Sequence, residues 1–279
     1  MKIICYGNCQ VGAVSGYLNK IGKINKYYAC FSIDYNIDDF YKELETTDIL
    51  ILQPINDNYK DDNRLSSLRV INYCKINTKI IMMQSYYFNF YYPDLKYLSI
   101  NNIILKKPID YHYQTIIDSY NNNMSINEYI IKYMDSNLYS PDYLNNNANL
   151  SIKELKKRYN EMIYKYNNNN IFFINTLDFI ENNYKEILLF YSMNHPSKYL
   201  MIEIMKHILK ILDIDEKYID NEGDYISTPK CILNKCIQNV VNFDINIYKP
   251  LTLKEENIYK IVKLYYDEYS KDENKIYLR

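Results

Sequence analysis

Four short apolar runs, alternating with helical patterns, constrain this 279-residue chain more than any other feature. They are Lys2–Tyr6, Tyr27–Ser32, Asp48–Gln53 and Thr78–Met83. The third, Asp-Ile-Leu-Ile-Leu-Gln, is continuously apolar at its centre, the signature of a strand covered on both faces. Helical patterns fall between the runs at about 11–21, 38–45 and 64–74, the last with Leu65, Leu68 and Ile71 at helical spacing. Strands alternating with helices predict a parallel, doubly wound sheet. Ligands of such sheets bind beyond the carboxyl ends of the strands. Gly7–Gln10, Gln53–Pro54 and Gln84–Ser85 all fall at those ends and are expected to converge on one edge.

The first of these turns, Gly7-Asn8-Cys9-Gln10, carries a thiol. A strand that ends in glycine and leads into a helix exposes its turn side chain. It also aims free backbone N–H groups and the positive end of the helix dipole at the same spot. A cysteine so placed is expected to have its thiolate favoured, which suits a nucleophile; the alternative is a small buried cysteine that packs like alanine.

Beyond residue 86 the pattern changes. Tyr86–Tyr92 is aromatic, and Pro93-Asp94-Leu95 reads as a turn into Lys96–Leu98. Helices are expected at about 113–120, 125–135, 151–166, 175–187, 196–212 and 253–270, with residues 219–250 extended and irregular. The asparagine runs at 121–123, 145–147 and 167–170 read as loops. The expected fold is therefore α/β, a parallel sheet with helices on both faces followed by a predominantly helical C-terminal part. The boundary is placed at residue 100, giving segments 1–100 and 101–279 packed as one compact unit.

Bulk properties exclude several classes. Net charge is -1, so no global field recruits nucleic acid or an anionic membrane. No run approaches the roughly 18 apolar residues of a transmembrane helix, and Ile3–Tyr6 is too short for a signal-peptide core. A cytoplasmic location is expected. The six cysteines lack zinc-site spacing and read as free thiols in a reducing compartment. No metal-protease His-Glu motif is present. The turn lacks the second glycine of a dinucleotide loop, which argues against a nicotinamide enzyme.

Of three histidines, His195 is the candidate base. It lies in Ser192-Met193-Asn194-His195-Pro196-Ser197, where Pro196 opens a helix whose stripe includes Leu200, Ile204, Ile208 and Leu212. The other reading of His195 is local capping. His112 and His207 read as structural or surface residues. A thiol on a strand-end turn with a distant histidine is a nucleophile-and-base arrangement. Donors for an oxyanion are available from the Gln10 backbone and from the amides of Asn8, Gln53 and Gln84, with Asn194 adjoining the histidine. Asp94 and Asp110 are candidates for the group that orients His195.

These residues resemble the WcbI-like family of polysaccharide (capsule) biosynthesis enzymes. The resembling elements are Tyr6–Gln10, Asp48–Pro54, Phe90–Leu95, Leu155–Glu161 around Arg158, and Asn194–Ser197, in that order over roughly residues 2–245. The resemblance implies a Rossmann-like part joined to a helical remainder, and acyl transfer from acetyl-CoA to a sugar hydroxyl of a glycan precursor. The chain is also similar to SGNH hydrolases, with Asn8-Cys9 where those enzymes carry Asp-Ser. Their late Asp-x-x-His falls on Ser192–His195, so the acid is missing.

The expectation is an acetyl-CoA-dependent O-acetyltransferase using Cys9 and His195, with Gly7, Ser85 and Arg158 lining the coenzyme and no metal. The acceptor is a sugar or glycan precursor, and the chain is left open as a homo-oligomer. The alternatives are an esterase or thioesterase with the same dyad, and a non-catalytic glycan-binding module whose tyrosines stack on sugars. Rapid CoA release without acceptor separates the first alternative from a transferase; an unreactive Cys9 marks the second.

Overall fold

The computed structural model of the protein describes residues 1–23, 25–32, 35–100, 103–133, 135–226, 231–248 and 255–278. Pro229, Pro250 and the expected helix start at 253–254 lie outside these residues. The chain forms two compact units that interleave in sequence, unlike the single boundary expected at residue 100. The first unit comprises 1–86, 152–183 and 195–227; the second comprises 87–151, 184–194 and 228–279.

The first unit is built on a five-stranded sheet, all of whose pairings are parallel. Its strands are β1 (Ile3–Gly7), β2 (Asn25–Ala29), β3 (Ile49–Leu52), β4 (Lys79–Met83) and Ile171–Ile174, in spatial order β2-β1-β3-β4 and then Ile171–Ile174. The helices between them are α1 (Cys9–Lys20), α2 (Ile37–Leu44) and α3 (Ser67–Asn72), close to expectation. Alternate residues divide between the two faces. Ile4, Tyr6, Leu50, Leu52, Ile80 and Met82 share a core with Phe40 and Leu44 of α2, Val70 of α3, and Met162. The opposite face is covered by α1 and helix Lys198–Ile211, which pack on each other. Both faces of β1 and β3 are buried, which explains their unbroken apolar runs.

The strand Ile171–Ile174 was not expected. Its sequence, Ile-Phe-Phe-Ile, is a short β-branched and aromatic run between two helices, and it joins the sheet beside β4. This return of the chain draws the 152–183 segment into the first unit. The helix expected at 151–166 runs from Pro141 to Lys165. Ser140 Oγ accepts from Tyr143 N at 3.2 Å, and Pro141 holds a favoured first-turn position. The asparagines at 145–147, expected in a loop, are therefore helical. Leu144, Ala148, Ile152 and Leu155 form a buried stripe at helical spacing that outweighs the poor propensity of asparagine. The other two asparagine runs do sit at turns, with Asn123 in the left-handed region at φ 54°.

The second unit buries the aromatic segment: Phe88, Phe90, Tyr91 and Tyr92 are all solvent-inaccessible or nearly so. Helices α4 (Gln114–Asn121) and α5 (Ile126–Tyr133) both pack against helix Glu255–Tyr269. His112 is a structural residue here, with Nδ1 bonded to the Tyr269 hydroxyl at 2.7 Å and Nε2 to the Leu105 carbonyl at 3.0 Å. No described helix is long and apolar enough to cross a membrane.

Candidate active site

The strand order of the first unit reverses between β1 and β3, so their carboxyl ends mark the topological switch point. Gly7 ends β1 and Cys9 opens α1. Between them Asn8 caps the helix, its Oδ1 accepting from Gln10 N at 2.8 Å. Gly7 leaves room that any larger residue would have to take from its neighbours. A Cβ there would stand 2.7 Å from Val11 Cγ2 and 3.0 Å from Gln53 Oε1. Tyr27, from β2, ties the turn from outside: its hydroxyl donates to the carbonyls of Asn8 at 2.9 Å and Gly7 at 3.3 Å. Gly12 leaves room for that ring, since a Cβ there would lie 3.1 Å from it.

His195 comes to the same turn. Its Nε2 lies 3.4 Å from Cys9 Sγ, within the range of a sulfur hydrogen bond, although 186 residues separate the two. The imidazole is 6% exposed and precedes helix Lys198–Ile211, with Ser197 at the cap position. Burial pushes the Cys9 thiol up from its ordinary value, opposed by the backbone N–H groups of Cys9 and Gln10. The favoured thiolate expected from the helix terminus is thus not the resting state, because loss of solvent outweighs the terminus. Cys9 needs a base to lose its proton, and His195 is in contact to serve.

The glutamines have divided roles. Gln53 Nε2 donates to Gln10 Oε1 at 2.9 Å and to the Gln84 carbonyl at 3.3 Å, while its Oε1 accepts from Asn8 N at 3.2 Å. Gln10 Nε2 donates to the Tyr86 carbonyl at 3.0 Å, and Gln10 Oε1 accepts from Tyr86 N at 3.1 Å. These side chains tie together the loops after β1, β3 and β4 beneath the Cys9 turn. Their role is positioning: Gln53 Nε2 and Gln10 Nε2 both donate to protein acceptors. Gln84 differs: it is 1% exposed, yet neither its Nε2 nor its Oε1 has a hydrogen-bond partner among the described residues. It lines a cleft of about 410 Å³ together with Pro54, Ser85, Arg158, Met162 and Lys165. Arg158 and Lys165 are paired at the surface with Glu154 and Asp57, interactions weak enough to yield to a ligand. Ser85 also lines a neighbouring pocket of about 230 Å³ that reaches Asn8.

Asn194 belongs to the second unit, where Oδ1 accepts from the Tyr111 hydroxyl at 2.6 Å and Nδ2 donates to the Tyr97 hydroxyl at 2.9 Å. Asp94, one of the acids considered for orienting His195, accepts from Thr115 Oγ1 at 2.6 Å in that unit. His207 pairs with Glu203 on the surface of its helix. Among the described residues no cluster of three or more His, Cys, Asp or Glu is arranged for a metal. Sequence reasoning missed Tyr27, Tyr86 and Lys165. The two tyrosines carry no signal in a chain with 34 of them, whereas Lys165 sits two helical turns after Arg158, a spacing that would have placed both cations on one face.

Comparison with known proteins identifies the family and the fold. The profile of the family described as polysaccharide biosynthesis enzyme WcbI matches residues 2–217. One solved structure is described as WcbI, a novel polysaccharide biosynthesis enzyme, in the native form without a disulfide bond between coenzyme A and a cysteine. It superimposes with a TM-score of 0.73 at 19% identity, covering 100% of this chain and 98% of that one. At that identity the likeness establishes a shared fold. No curated protein sequence matches the chain. With a profile match over most of its length, the chain belongs to the WcbI family of polysaccharide biosynthesis enzymes.

Proposed function

We propose that the protein transfers an acetyl group from acetyl-CoA to a sugar hydroxyl of a surface-polysaccharide precursor, with Cys9 as nucleophile and His195 as general base. The observation that carries this reading is the 3.4 Å contact between Cys9 Sγ and His195 Nε2 at the switch point of the sheet. In the first half-reaction His195 Nε2 takes the thiol proton as Cys9 Sγ attacks the thioester carbonyl carbon. The bond from that carbon to the departing sulfur breaks, and His195 returns the proton to the leaving thiolate. In the second half, His195 takes the proton of the sugar hydroxyl, whose oxygen attacks the acetyl carbon on Cys9. The carbon–Sγ bond breaks, and the proton restores the Cys9 thiol. Backbone N–H groups of Cys9 and Gln10 lie against the sulfur and stabilise negative charge there.

The 410 Å³ cleft is assigned to part of the donor. A phosphate-bearing ligand suits Arg158 and Lys165 at its wall, and a pantetheine amide offers both the acceptor and the donor that the Gln84 carboxamide lacks. Family membership in polysaccharide biosynthesis supports a sugar as acceptor. The tyrosine-platform alternative is weakened, because Tyr6, Tyr17, Tyr86, Tyr91, Tyr92, Tyr129, Tyr265 and Tyr269 are core residues.

Thermal unfolding with and without ligand tests this reading. Coenzyme A at about 100 times its dissociation constant adds about 2.7 kcal/mol to the folded state, whereas ATP and NAD add nothing comparable. Gln84→Met should keep the fold and lose most of that stabilisation. Absence of a shift in the wild-type protein at millimolar coenzyme A contradicts the proposal, and rapid CoA release from acetyl-CoA without sugar favours a thioesterase.

A further inference from the structure

The carboxyl edge of the sheet carries two adjoining depressions whose walls differ in chemistry. They share Pro54, Asn56 and Ser85. The larger, assigned above to the donor, has charged walls from Arg158, Glu161 and Lys165. Among the described residues no charged side chain lines the smaller, of about 230 Å³: its polar wall is made of Asn8, Gln53, Asn56 and Ser85, and its remaining wall includes Cys30, Ile55 and Tyr59. Neutral amides and a hydroxyl beside an aromatic face can bind a ligand that offers many hydroxyls and no charge. Among the described residues no cation lines the pocket to hold an anion, and an apolar ligand would offer nothing to the Asn56 amide and the Ser85 hydroxyl.

Tyr59 is held in place at some cost. The two residues after it, Lys60 and Asp61, both lie in the left-handed region at φ 54° and 58°, which non-glycine residues rarely adopt. Such strain persists where the surroundings enforce it, and it gathers at ligand sites. The Lys60 ammonium donates to the Phe31 carbonyl, tying the segment after Tyr59 to the end of β2, and the Tyr59 ring packs against the core. Asn8, which also lines the pocket, immediately precedes Cys9 in the turn.

We propose that this neutral pocket is the acceptor subsite, taking one uncharged pyranose ring against Tyr59, with Asn8, Asn56 and Ser85 reading its hydroxyls. The inference rests on the acyltransferase reading above, since it supplies the group on which the acetyl lands. The ring would lie beside the turn that carries Cys9, and the donor would occupy the charged cleft next to it. Any hydroxyl that the pocket orients toward Cys9 is then the one acetylated.

The test uses the full-length protein with the methyl α-glycosides of glucose, galactose and mannose as probes, observed by saturation-transfer NMR. Coenzyme A stabilisation is measured in parallel. At least one glycoside should give a transfer signal. Tyr59→Leu should weaken its binding about tenfold, the value of one lost ring contact, and Tyr59→Phe should restore it. Asn56→Ala, on an exposed loop residue that leaves the core untouched, should weaken it as well. The two Tyr59 variants, which lie outside the donor cleft, should keep the coenzyme A shift. Three results overturn the inference: no signal from any glycoside, a signal unchanged in both Tyr59→Leu and Asn56→Ala, or loss of the coenzyme A shift in Tyr59→Leu. If the wild-type protein shows no coenzyme A shift while the glycoside signal still depends on Tyr59, the donor reading fails and the sugar subsite stands.

Discussion

Replacing Gln53 by leucine isolates the amide chain beneath the Cys9 turn. The substitution nearly preserves volume and removes three hydrogen bonds. Gln10 Oε1 keeps the Tyr86 N–H, so it is not orphaned. The Asn8 N–H and the Gln84 carbonyl lose the partner that Gln53 provides. Each such group costs about 1–3 kcal/mol when left unpaired in a buried setting. Two of them cost about 2–6 kcal/mol, and the apolar leucine returns about 1–2 kcal/mol by burial. The net loss is roughly 3 kcal/mol. At about 2–4 °C per kcal/mol, the unfolding midpoint should fall by roughly 6–12 °C. Differential scanning calorimetry reads the midpoint, and the alkylation rate of Cys9 by iodoacetamide reports whether the turn has loosened. Because the chain has two compact units, the shift belongs to the transition that coenzyme A moves. A loss under about 1 kcal/mol, with Cys9 reactivity unchanged, would refute the claim that this amide chain holds the strand-end loops together.

Two further outcomes follow from the same physical reasoning. Burial holds the Cys5 and Cys74 thiols up at about 12, those of Cys30 and Cys236 at about 11, and the Tyr35 and Tyr59 hydroxyls at about 12. The unfolded values are near 8.5 and 10. Folding therefore favours the neutral forms; that stability is intact below about pH 8.5 and is lost as pH rises toward the folded values, so the thermal midpoint should fall steadily between about pH 9 and 11. A flat profile over that range would contradict it. Gly7→Ala should displace the turn, because the new methyl meets Val11 Cγ2 at 2.7 Å. The expected result is loss of acetyl transfer with a lowered unfolding midpoint, and an unaltered enzyme would show that the turn has slack.

The sheet was legible in the sequence because its strands are buried on both faces. Ile49–Leu52 and Ile3–Gly7 leave no polar position to confuse the reading. Ile171–Ile174 was not, since one four-residue run flanked by helices is ambiguous until a neighbouring strand claims it. The asparagines at 145–147 misled for a related reason: propensity is a local preference, and the stripe from Leu144 to Leu155 is a tertiary one. At the site, residue type pointed to Cys9 and His195, and the fold brings them into contact. Residue type could not say which amides were already occupied. Gln10 and Gln53 looked equivalent to Gln84, and only the partners distinguish two positioning residues from one open to a ligand. The direction of the Cys9 shift was hidden likewise, because a helix terminus is visible in sequence and the depth of burial is not.

The most direct test of the Cys9–His195 dyad is intact-mass analysis of the protein after brief mixing with acetyl-CoA and no sugar. The account predicts one acetyl group, mapped to Cys9 by peptide mass, absent in Cys9→Ala and strongly slowed in His195→Ala, with acetyl transfer in Cys9→Ala reduced at least ~10²-fold. An unmodified Cys9 in the wild-type protein, together with full transfer by Cys9→Ala, would contradict it.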